Sequence, residues 1–230
     1  MNNYIIETRN LSFRYRQDSP LILDHVNLGI RKGEVVGIVG LSGSGKSTLI
    51  NIINGIIPKR IDGVIEGDVI IKNENIEQKE LHELVTTIGT VFQDPDCQIL
   101  FSCAEDEMAF APENLCFERM EIFDSIDKVC GLLDIGRLRD KNPNHMSGGE
   151  KQLISIASVL TPDVDIVILD ECMSQIDERG RLLIKDTLKK LKEKGKTVIM
   201  IEHDFSNLET ADTIYLLDLG RLSEFDGELK

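Results

Sequence analysis

The chain contains the stretch Gly40-Leu41-Ser42-Gly43-Ser44-Gly45-Lys46-Ser47-Thr48, which fits the pattern Gly-x-x-x-x-Gly-Lys-Ser/Thr. An apolar run, residues 35–39, comes directly before it, and an apolar helical pattern follows it. Between a strand and a helix, such glycines let backbone N–H groups surround phosphate oxygens while the helix N-terminus points its positive end at them. We therefore predict a phosphate-binding loop rather than a plain glycine-rich turn.

The residues of this loop have separate predicted roles. Lys46 is expected to reach the β- and γ-phosphates of a nucleotide, and the hydroxyl of Ser47 is expected to hold Mg²⁺. Further contacts to the nucleotide are predicted for Gly40, Ser42, Gly43, Gly45 and Thr48. The expected ligand is a nucleoside triphosphate with Mg²⁺.

A second predicted site lies at residues 165–171, an apolar strand that ends in two carboxylates. An acid at the tip of a buried strand beside a phosphate loop suits a magnesium ligand, which is the role predicted for Asp170. Glu171 follows directly and is the candidate general base for the attacking water. Acids often begin the loop after a strand, so this prediction depends on its coexistence with the phosphate loop.

Short apolar runs alternate with helical patterns, as in an α/β protein with a mostly parallel sheet. The predicted core strands are residues 35–39, 86–91, 165–169, 197–201 and 213–217. A small antiparallel sheet is predicted from alternating polarity in residues 4–15, 26–30 and 64–72. Residues 104–160 read as a helical lobe, which we expect to be broken at Pro112, Gly131, Gly136 and Pro143.

Bulk composition disfavours several classes of protein. Among 230 residues there are 40 acidic and 26 basic ones, and the net charge of −14 argues against a nucleic-acid partner. The polar start and the lack of a run of about 18 apolar residues predict neither a signal peptide nor a membrane span. We expect a cytoplasmic protein whose five cysteines are reduced thiols.

A third motif is the stretch Met146-Ser147-Gly148-Gly149-Glu150-Lys151-Gln152. Ser147 can cap a helix, and the glycines at its start leave room for a phosphate. The stretch resembles the signature motif Leu-Ser-Gly-Gly-Gln of ABC transporter ATPases, and the resemblance extends nearly end to end. It implies ATP hydrolysis coupled to transport, with Ser147, Gly148 and Gly149 contacting ATP that is bound to the other subunit of a homodimer or heterodimer.

The resemblance implies a fold and domain boundaries. We expect one domain, residues 1–230, with a P-loop NTPase (RecA-like) core and an antiparallel β part in residues 1–92 and 161–230. Residues 93–160 are expected to form the inserted helical subdomain.

Three further site residues follow from the resemblance. Tyr15 lies where the family has an aromatic ring that stacks on adenine, and a strand tyrosine with its hydroxyl in water is the alternative. Gln93 looks like the Q-loop glutamine, which touches magnesium, and His203 looks like the switch histidine, which contacts the γ-phosphate. Glu171, Gln93 and His203 are thus the predicted catalytic residues, and Ser47, Gln93 and Asp170 the predicted magnesium ligands.

Residues 91–101 and 107–115 look like the energy-coupling factor ATPases and the related cobalt and nickel importers. In that group the segment after the Q-loop glutamine shapes a groove for a transmembrane subunit. We therefore expect the Gln93–Phe101 region to contact a permease at the inner face of the membrane, with Asp94, Asp96 and Gln98 as contacts. A solvated acidic loop is the alternative.

The chain departs from the family pattern in two places. Glu150 replaces the signature glutamine, and Leu153 stands where many relatives have arginine. The D-loop reads Cys172-Met173-Ser174-Gln175-Ile176-Asp177 in place of Pro-Thr-Ser-Ala-Leu-Asp, which favours an unequal partner subunit. An ABC-type ATPase acting on nucleic acid or ribosomes and a degenerate ATP-sensing subunit are the alternatives. For the cargo, a vitamin and a transition-metal ion are both open.

Overall fold

The computed structural model describes residues 4–174, 176–225 and 227, which form two compact units. The first unit runs up to Val85 and resumes at Ile199, and the second unit comprises Thr86–Val198. The second unit is therefore an insertion in the first along the chain. The predicted subdivision at residues 93 and 160 stays a prediction.

Strands and helices alternate along most of the chain. The strands are β1 (Tyr4–Arg14), β2 (Leu23–Arg31), β3 (Val35–Val39), β4 (Val64–Ile71), β5 (Glu74–Asn75), β6 (Ile88–Val91), β7 (Ile166–Asp170), β8 (Thr197–Glu202), β9 (Thr213–Asp218) and β10 (Arg221–Glu224). The α-helices are α1 (Lys46–Ile53), α2 (Ile56–Lys59), α3 (Leu81–Val85), α4 (Ala104–Asn114), α5 (Arg119–Leu133), α6 (Gly148–Leu160) and α7 (Glu178–Glu193). All predicted strands are present, with boundaries within a few residues of those expected.

An antiparallel sheet in the first unit has the strand order β2-β1-β4-β5. β1 lies between β2 and β4 and pairs antiparallel with both, so that Ile6 faces Ile30 on one side and Ile71 on the other. These three isoleucines are fully buried, as is Phe13 near the end of β1. The predicted antiparallel sheet is thereby confirmed.

Beside that sheet, the first unit has strands in the order β10-β9-β3-β8, where β8 belongs to this unit from Ile199 onward. β3 pairs with β9 in parallel, whereas β10 pairs with β9 antiparallel. Every residue of β3 is buried, as expected of a parallel strand that is covered on both faces. A Cβ at Gly37 would lie 2.9 Å from the side chain of Leu208, so the glycine permits close packing. This strand leads into the phosphate loop.

The second unit combines a parallel strand pair with helices. β6 and β7 pair in parallel, with Ile88 opposite Ile166. Helix α6 contacts α4, α5 and α7, and its buried residues include Leu153, Ile154 and Ile156. Leu153, which replaces an arginine common in relatives, is therefore a core residue. In the described part of the chain, no helix has both the length and the apolarity needed to cross a bilayer.

Two of the expected helix breaks are wrong. Pro112 lies inside α4 and Gly131 inside α5. Proline cannot donate to the carbonyl of Met108 four residues earlier, but the hydroxyl of Thr161 donates to that carbonyl at 2.9 Å. Gly131 is exposed, and a Cβ there would meet nothing within 4 Å, so the position tolerates glycine at only a modest cost in helix propensity.

Candidate functional site

The phosphate loop joins the end of β3 at Val39 to the start of α1 at Lys46. Gly43 and Gly45 adopt positive φ angles of 81° and 108°, which only glycine accepts readily. A Cβ at Gly40 would lie 2.3 Å from the carbonyl oxygen of Leu217, and one at Gly43 would meet nothing within 4 Å. The glycines thus serve two purposes, because Gly40 permits a close approach to β9 and Gly43 leaves one side of the loop open.

Lys46 folds back onto the loop that precedes it. Its side chain is buried, and Nζ donates to the carbonyl oxygens of Gly40 at 2.7 Å and Leu41 at 3.0 Å. The ammonium is thereby held at the beginning of the loop and at the N-terminus of α1, a combination suited to a multiply charged anion. The next residue, Ser47, is exposed.

Tyr15 comes directly after β1 and is anchored at both ends. Its hydroxyl lies 3.2 Å from Oγ1 of the buried Thr48, and its ring makes an edge contact with Phe13 at a centroid distance of 4.9 Å. The hydroxyl therefore contacts helix α1, which follows the phosphate loop. The alternative interpretation had placed this hydroxyl in water. The residue remains 43% exposed, which is compatible with the predicted stacking on adenine. His203, also in the first unit, follows β8 and is exposed.

The second unit brings together three of the segments that sequence motifs singled out. The side-chain amide of Gln93 donates to Oγ of Ser174 at 3.2 Å, and that hydroxyl donates to the carbonyl oxygen of Glu171 at 2.8 Å. Asp170 is the last residue of β7 and is half-buried. Glu171 has a φ of 50°, an uncommon backbone conformation for a residue with a side chain, of the kind found at functional sites.

The signature segment begins helix α6 with a reciprocal cap. Oγ of Ser147, the N-cap residue, accepts from the backbone N–H of Glu150 at 3.3 Å, while Oε2 of Glu150 accepts from the N–H of Ser147 at 3.2 Å. The other carboxylate oxygen, Oε1, accepts from Nη1 of Arg137 at 2.6 Å. The hydrogen bond from Arg137, followed by that from the Ser147 backbone, lowers the pKa of Glu150.

The glycines of the signature differ in their surroundings. Gly148 is exposed, whereas Gly149 is buried, and a Cβ at Gly149 would lie 2.6 Å from Cα of Gly180 in the first turn of α7. Residue 149 must therefore be glycine for helix packing, whatever else it contacts. The close approach brings together the N-terminal ends of α6 and α7, where Ser147 and Asp177 are the N-cap residues.

Comparison with known proteins decides the family. Residues 23–174, which include the phosphate loop, the signature and the strand ending at Asp170, match the ABC transporter family. The chain belongs to that family. As an ABC ATPase it binds ATP and hydrolyses it to power transport.

Individual relatives cover most of this ABC ATPase. A protein of Pyrococcus horikoshii named as an ABC transporter ATP-binding protein is 43% identical, and the match covers 95% of this chain and 78% of that protein. The energy-coupling factor transporter ATP-binding protein EcfA of Methanosarcina acetivorans is 34% identical over 95% of this chain and 78% of its own length. The structure of CbiO1 from Clostridium perfringens, described as part of the ABC transporter complex CbiONQ, has a TM-score of 0.87 at 30% identity, covering 96% of this chain and 87% of that one.

Several polar side chains in the Gln93–Phe101 segment of the ABC ATPase make contacts within the second unit. Asp94 accepts from the backbone N–H of Asp96 at 2.9 Å, Asp96 pairs with Lys151, and Oε1 of Gln98 accepts from the N–H of Phe92 at 2.9 Å. These contacts shape the loop. The segment also exposes the large apolar residues Leu100 at 68% and Phe101 at 36%, and Phe92, just before it, is 49% exposed.

The D-loop of the ABC ATPase places its unusual residues in the core. Cys172 and Met173 are 1% and 0% exposed, so the replacement of proline and threonine at these positions is a packing difference. Asp177 caps α7 by accepting from the N–H of Gly180 at 2.8 Å. Gln175 lies outside the described residues.

Two residues escaped the motif-based predictions. Glu107 is buried and its Oε2 accepts from the backbone N–H groups of Leu100 and Phe101 at 2.8 and 3.1 Å, which fixes the end of the Gln93–Phe101 segment. Arg137 binds Glu150 from 13 residues away. The acid at position 150, where the signature motif has glutamine, could have predicted a basic partner such as Arg137, because a partly buried carboxylate needs a partner.

Proposed function

We propose that this ABC ATPase powers an energy-coupling-factor-type importer of a vitamin or a transition-metal ion, as a peripheral subunit on the inner face of the membrane. The relative named EcfA and the CbiO1 structure, part of a CbiONQ complex, support the subtype. The observation that carries the proposal is the apolar surface of the Gln93–Phe101 segment, because exposed large apolar side chains mark surfaces that contact partners.

ATP is proposed to bind between two ATPase subunits, in a homodimer or a heterodimer. Lys46, Ser47 and the loop glycines of one subunit hold the phosphates, and Ser147 and Gly148 at the start of α6 in the other subunit cover them. Gly149 contributes through its backbone, since its Cα side is packed against Gly180. Because ATP fits the closed dimer better than the open one, binding shifts the equilibrium to the closed form and hydrolysis reverses it.

The catalytic roles follow the chemistry of the side chains. Glu171 polarises the attacking water as general base, and its backbone is held by the chain of hydrogen bonds from Gln93 through Ser174. His203 contacts the γ-phosphate. Through this link, a shift of Gln93 on permease binding would reach the residue that activates water.

The side-chain oxygens proposed as metal ligands are of the kind that Mg²⁺ prefers. Mg²⁺ prefers oxygen ligands and keeps several waters, so a few protein oxygens are enough. The exposed hydroxyl of Ser47, the carboxylate of Asp170 and the amide oxygen of Gln93 are such ligands, and Gln93 uses its NH₂ group for Ser174, which leaves the oxygen for the metal. When bound, the ion neutralises part of the phosphate charge.

The dimer proposal is tested with the Glu171→Gln variant, purified alone and together with the ATPase and membrane subunits that accompany it. We expect ATP turnover to fall by about 10²-fold or more, in line with loss of a general base. We also expect dimers to accumulate in Mg-ATP, measured by light scattering. Glu178→Gln, an exposed acid in the first turn of α7, is the matched control. Normal turnover in Glu171→Gln would show that the general base is another group.

The permease contact is tested with Leu100→Asp. Leu182→Asp is the control, because Leu182 has a similar exposure of 62% against 68% and lies in the same unit. We expect Leu100→Asp to lose co-purification with the transmembrane subunit while keeping its affinity for ATP, and Leu182→Asp to keep both. Retention of the membrane subunit by Leu100→Asp would contradict docking through this segment.

A further inference from the structure

Glu150, in the first turn of α6, places a negative charge at the position where the family's signature motif has a neutral glutamine. Glu150 is half-buried, and its Oε2 lies 3.4 Å from the hydroxyl oxygen of Ser147 as well as 3.2 Å from the Ser147 nitrogen. The hydroxyl that is proposed to bind a phosphate of ATP is therefore already close to a carboxylate.

This carboxylate conflicts with phosphate binding. A phosphate oxygen bonded to the Ser147 hydroxyl would lie about 2.8 Å from it and so no more than about 6 Å from Oε2 of Glu150. Like charges at this distance repel appreciably near a protein surface. The pKa of Glu150 is lowered, first by the hydrogen bond from Arg137 and then by that from the Ser147 backbone, so the group is charged near neutral pH and its repulsion of a phosphate has to be cancelled by a neighbouring group.

We propose that Arg137 is a positioning residue for the signature segment. Its guanidinium binds Oε1 of Glu150 at 2.6 Å, neutralises the carboxylate and holds it in the reciprocal cap, so that Ser147 can cover a phosphate of ATP bound to the other subunit. The inference rests on the proposed ATP-bridged dimer and adds to it a residue outside the signature motif.

A merely structural ion pair would behave differently. The side chains of Arg137 and Glu150 are 54% and 20% exposed, and an ion pair so open to solvent adds little to stability. Replacing Arg137 should therefore leave the fold intact while leaving the Glu150 carboxylate without its arginine partner at the proposed phosphate contact. Replacing Glu150 by glutamine at the same time removes that charge and keeps a side chain able to complete the cap.

The experiment compares Arg137→Met, Glu150→Gln and the double variant Arg137→Met/Glu150→Gln. Arg9→Met is the matched control, because Arg9 forms an exposed pair with Glu7 on β1. Each variant is made with Glu171 intact for turnover and with Glu171→Gln for ATP-dependent association, alone and with its accompanying subunits. ATP affinity of the dilute subunit is measured by fluorescent-nucleotide titration.

For Arg137→Met we expect turnover about tenfold lower and association in Mg-ATP about tenfold weaker, because the uncompensated carboxylate repels a phosphate about 6 Å away and this repulsion is partly screened at a half-exposed site. ATP affinity of the dilute subunit stays unchanged, since Lys46 and the loop glycines, the groups proposed to hold the phosphates of that subunit's own ATP, are not replaced. The double variant recovers most of both losses. Raising the salt concentration narrows the gap between Arg137→Met and the parent.

Two results would overturn the inference. One is an Arg137→Met protein with the parent's turnover and association, and the other is a double variant as impaired as Arg137→Met, which would make Arg137 structural. Failure of the underlying dimer proposal looks different: the Glu171→Gln parent itself would then show no ATP-dependent association, and the role of Arg137 in covering phosphate would fall with it.

Discussion

Replacing Gly149 by alanine tests whether this signature glycine is required by helix packing. The added methyl carbon would lie 2.6 Å from Cα of Gly180, a backbone atom that no rotamer change can move. Carbon atoms pack comfortably at 3.5–4.0 Å, so α6 and α7 must separate by roughly 1 Å. Overpacking of this kind costs about 1–3 kcal/mol, and the better helix propensity of alanine returns up to about 1 kcal/mol. We expect a net loss of about 1–2 kcal/mol.

Thermal unfolding followed by circular dichroism measures this loss. For a domain of this size, 1–2 kcal/mol lowers the midpoint by about 2–8 °C. Gly148→Ala is the control, because a Cβ there meets only the side chain of Ile176 at 3.4 Å, an ordinary contact. Gly148→Ala should unfold at or slightly above the parent temperature. If Gly149→Ala is as stable as Gly148→Ala, the packing argument for residue 149 is wrong.

Two further predictions concern Glu150 and Tyr15. The pKa of Glu150 lies below its ordinary value of 4.5, so this residue stabilises the fold above that pH and the contribution is lost as the pH falls through the lowered pKa. The difference in unfolding free energy between the parent and Glu150→Gln, measured by urea unfolding, should therefore shrink on acidification below 4.5. A difference independent of pH would contradict this role of Glu150. For Tyr15→Ala we expect ATP binding at least about fivefold weaker, as for loss of one base–aromatic stack, with tripolyphosphate binding unchanged. Tyr15→Phe should keep the affinity for ATP and lose only the bond to Thr48, and equal weakening of ATP and tripolyphosphate in Tyr15→Ala would exclude stacking.

Much of the fold could be predicted because its elements have strong local patterns. The apolar run of β3 and the glycines at 43 and 45 determine both a buried strand and the loop after it, with positive φ angles where the motif has glycine. The antiparallel strands were equally predictable, since their polarity alternates with the period of two that a half-buried strand requires.

Other features depend on contacts between residues distant in sequence, which local patterns do not reveal. Pro112 looks like a helix breaker until the hydroxyl of Thr161 supplies the hydrogen bond that proline cannot. Glu150 looks like a weakened signature residue until Arg137 is found beside it. In the Gln93–Phe101 segment, the acids that predicted a permease contact also make contacts within the second unit, and the exposed apolar residues at its end, Leu100 and Phe101, form no local pattern that would single them out.

The contact between Gly149 and Gly180 also has a mechanical consequence. Where the main chains of two helices are in direct contact, no side chains lie between them that could change rotamer to absorb a displacement. A displacement of one helix is therefore expected to displace the other. We expect the first turns of α6 and α7 to travel as a stiff pair, tying the signature serine to the D-loop aspartate. In the proposed dimer, the contacts of the signature segment and of the D-loop with the other subunit would then break at the same time, so that the dimer would open in a single step.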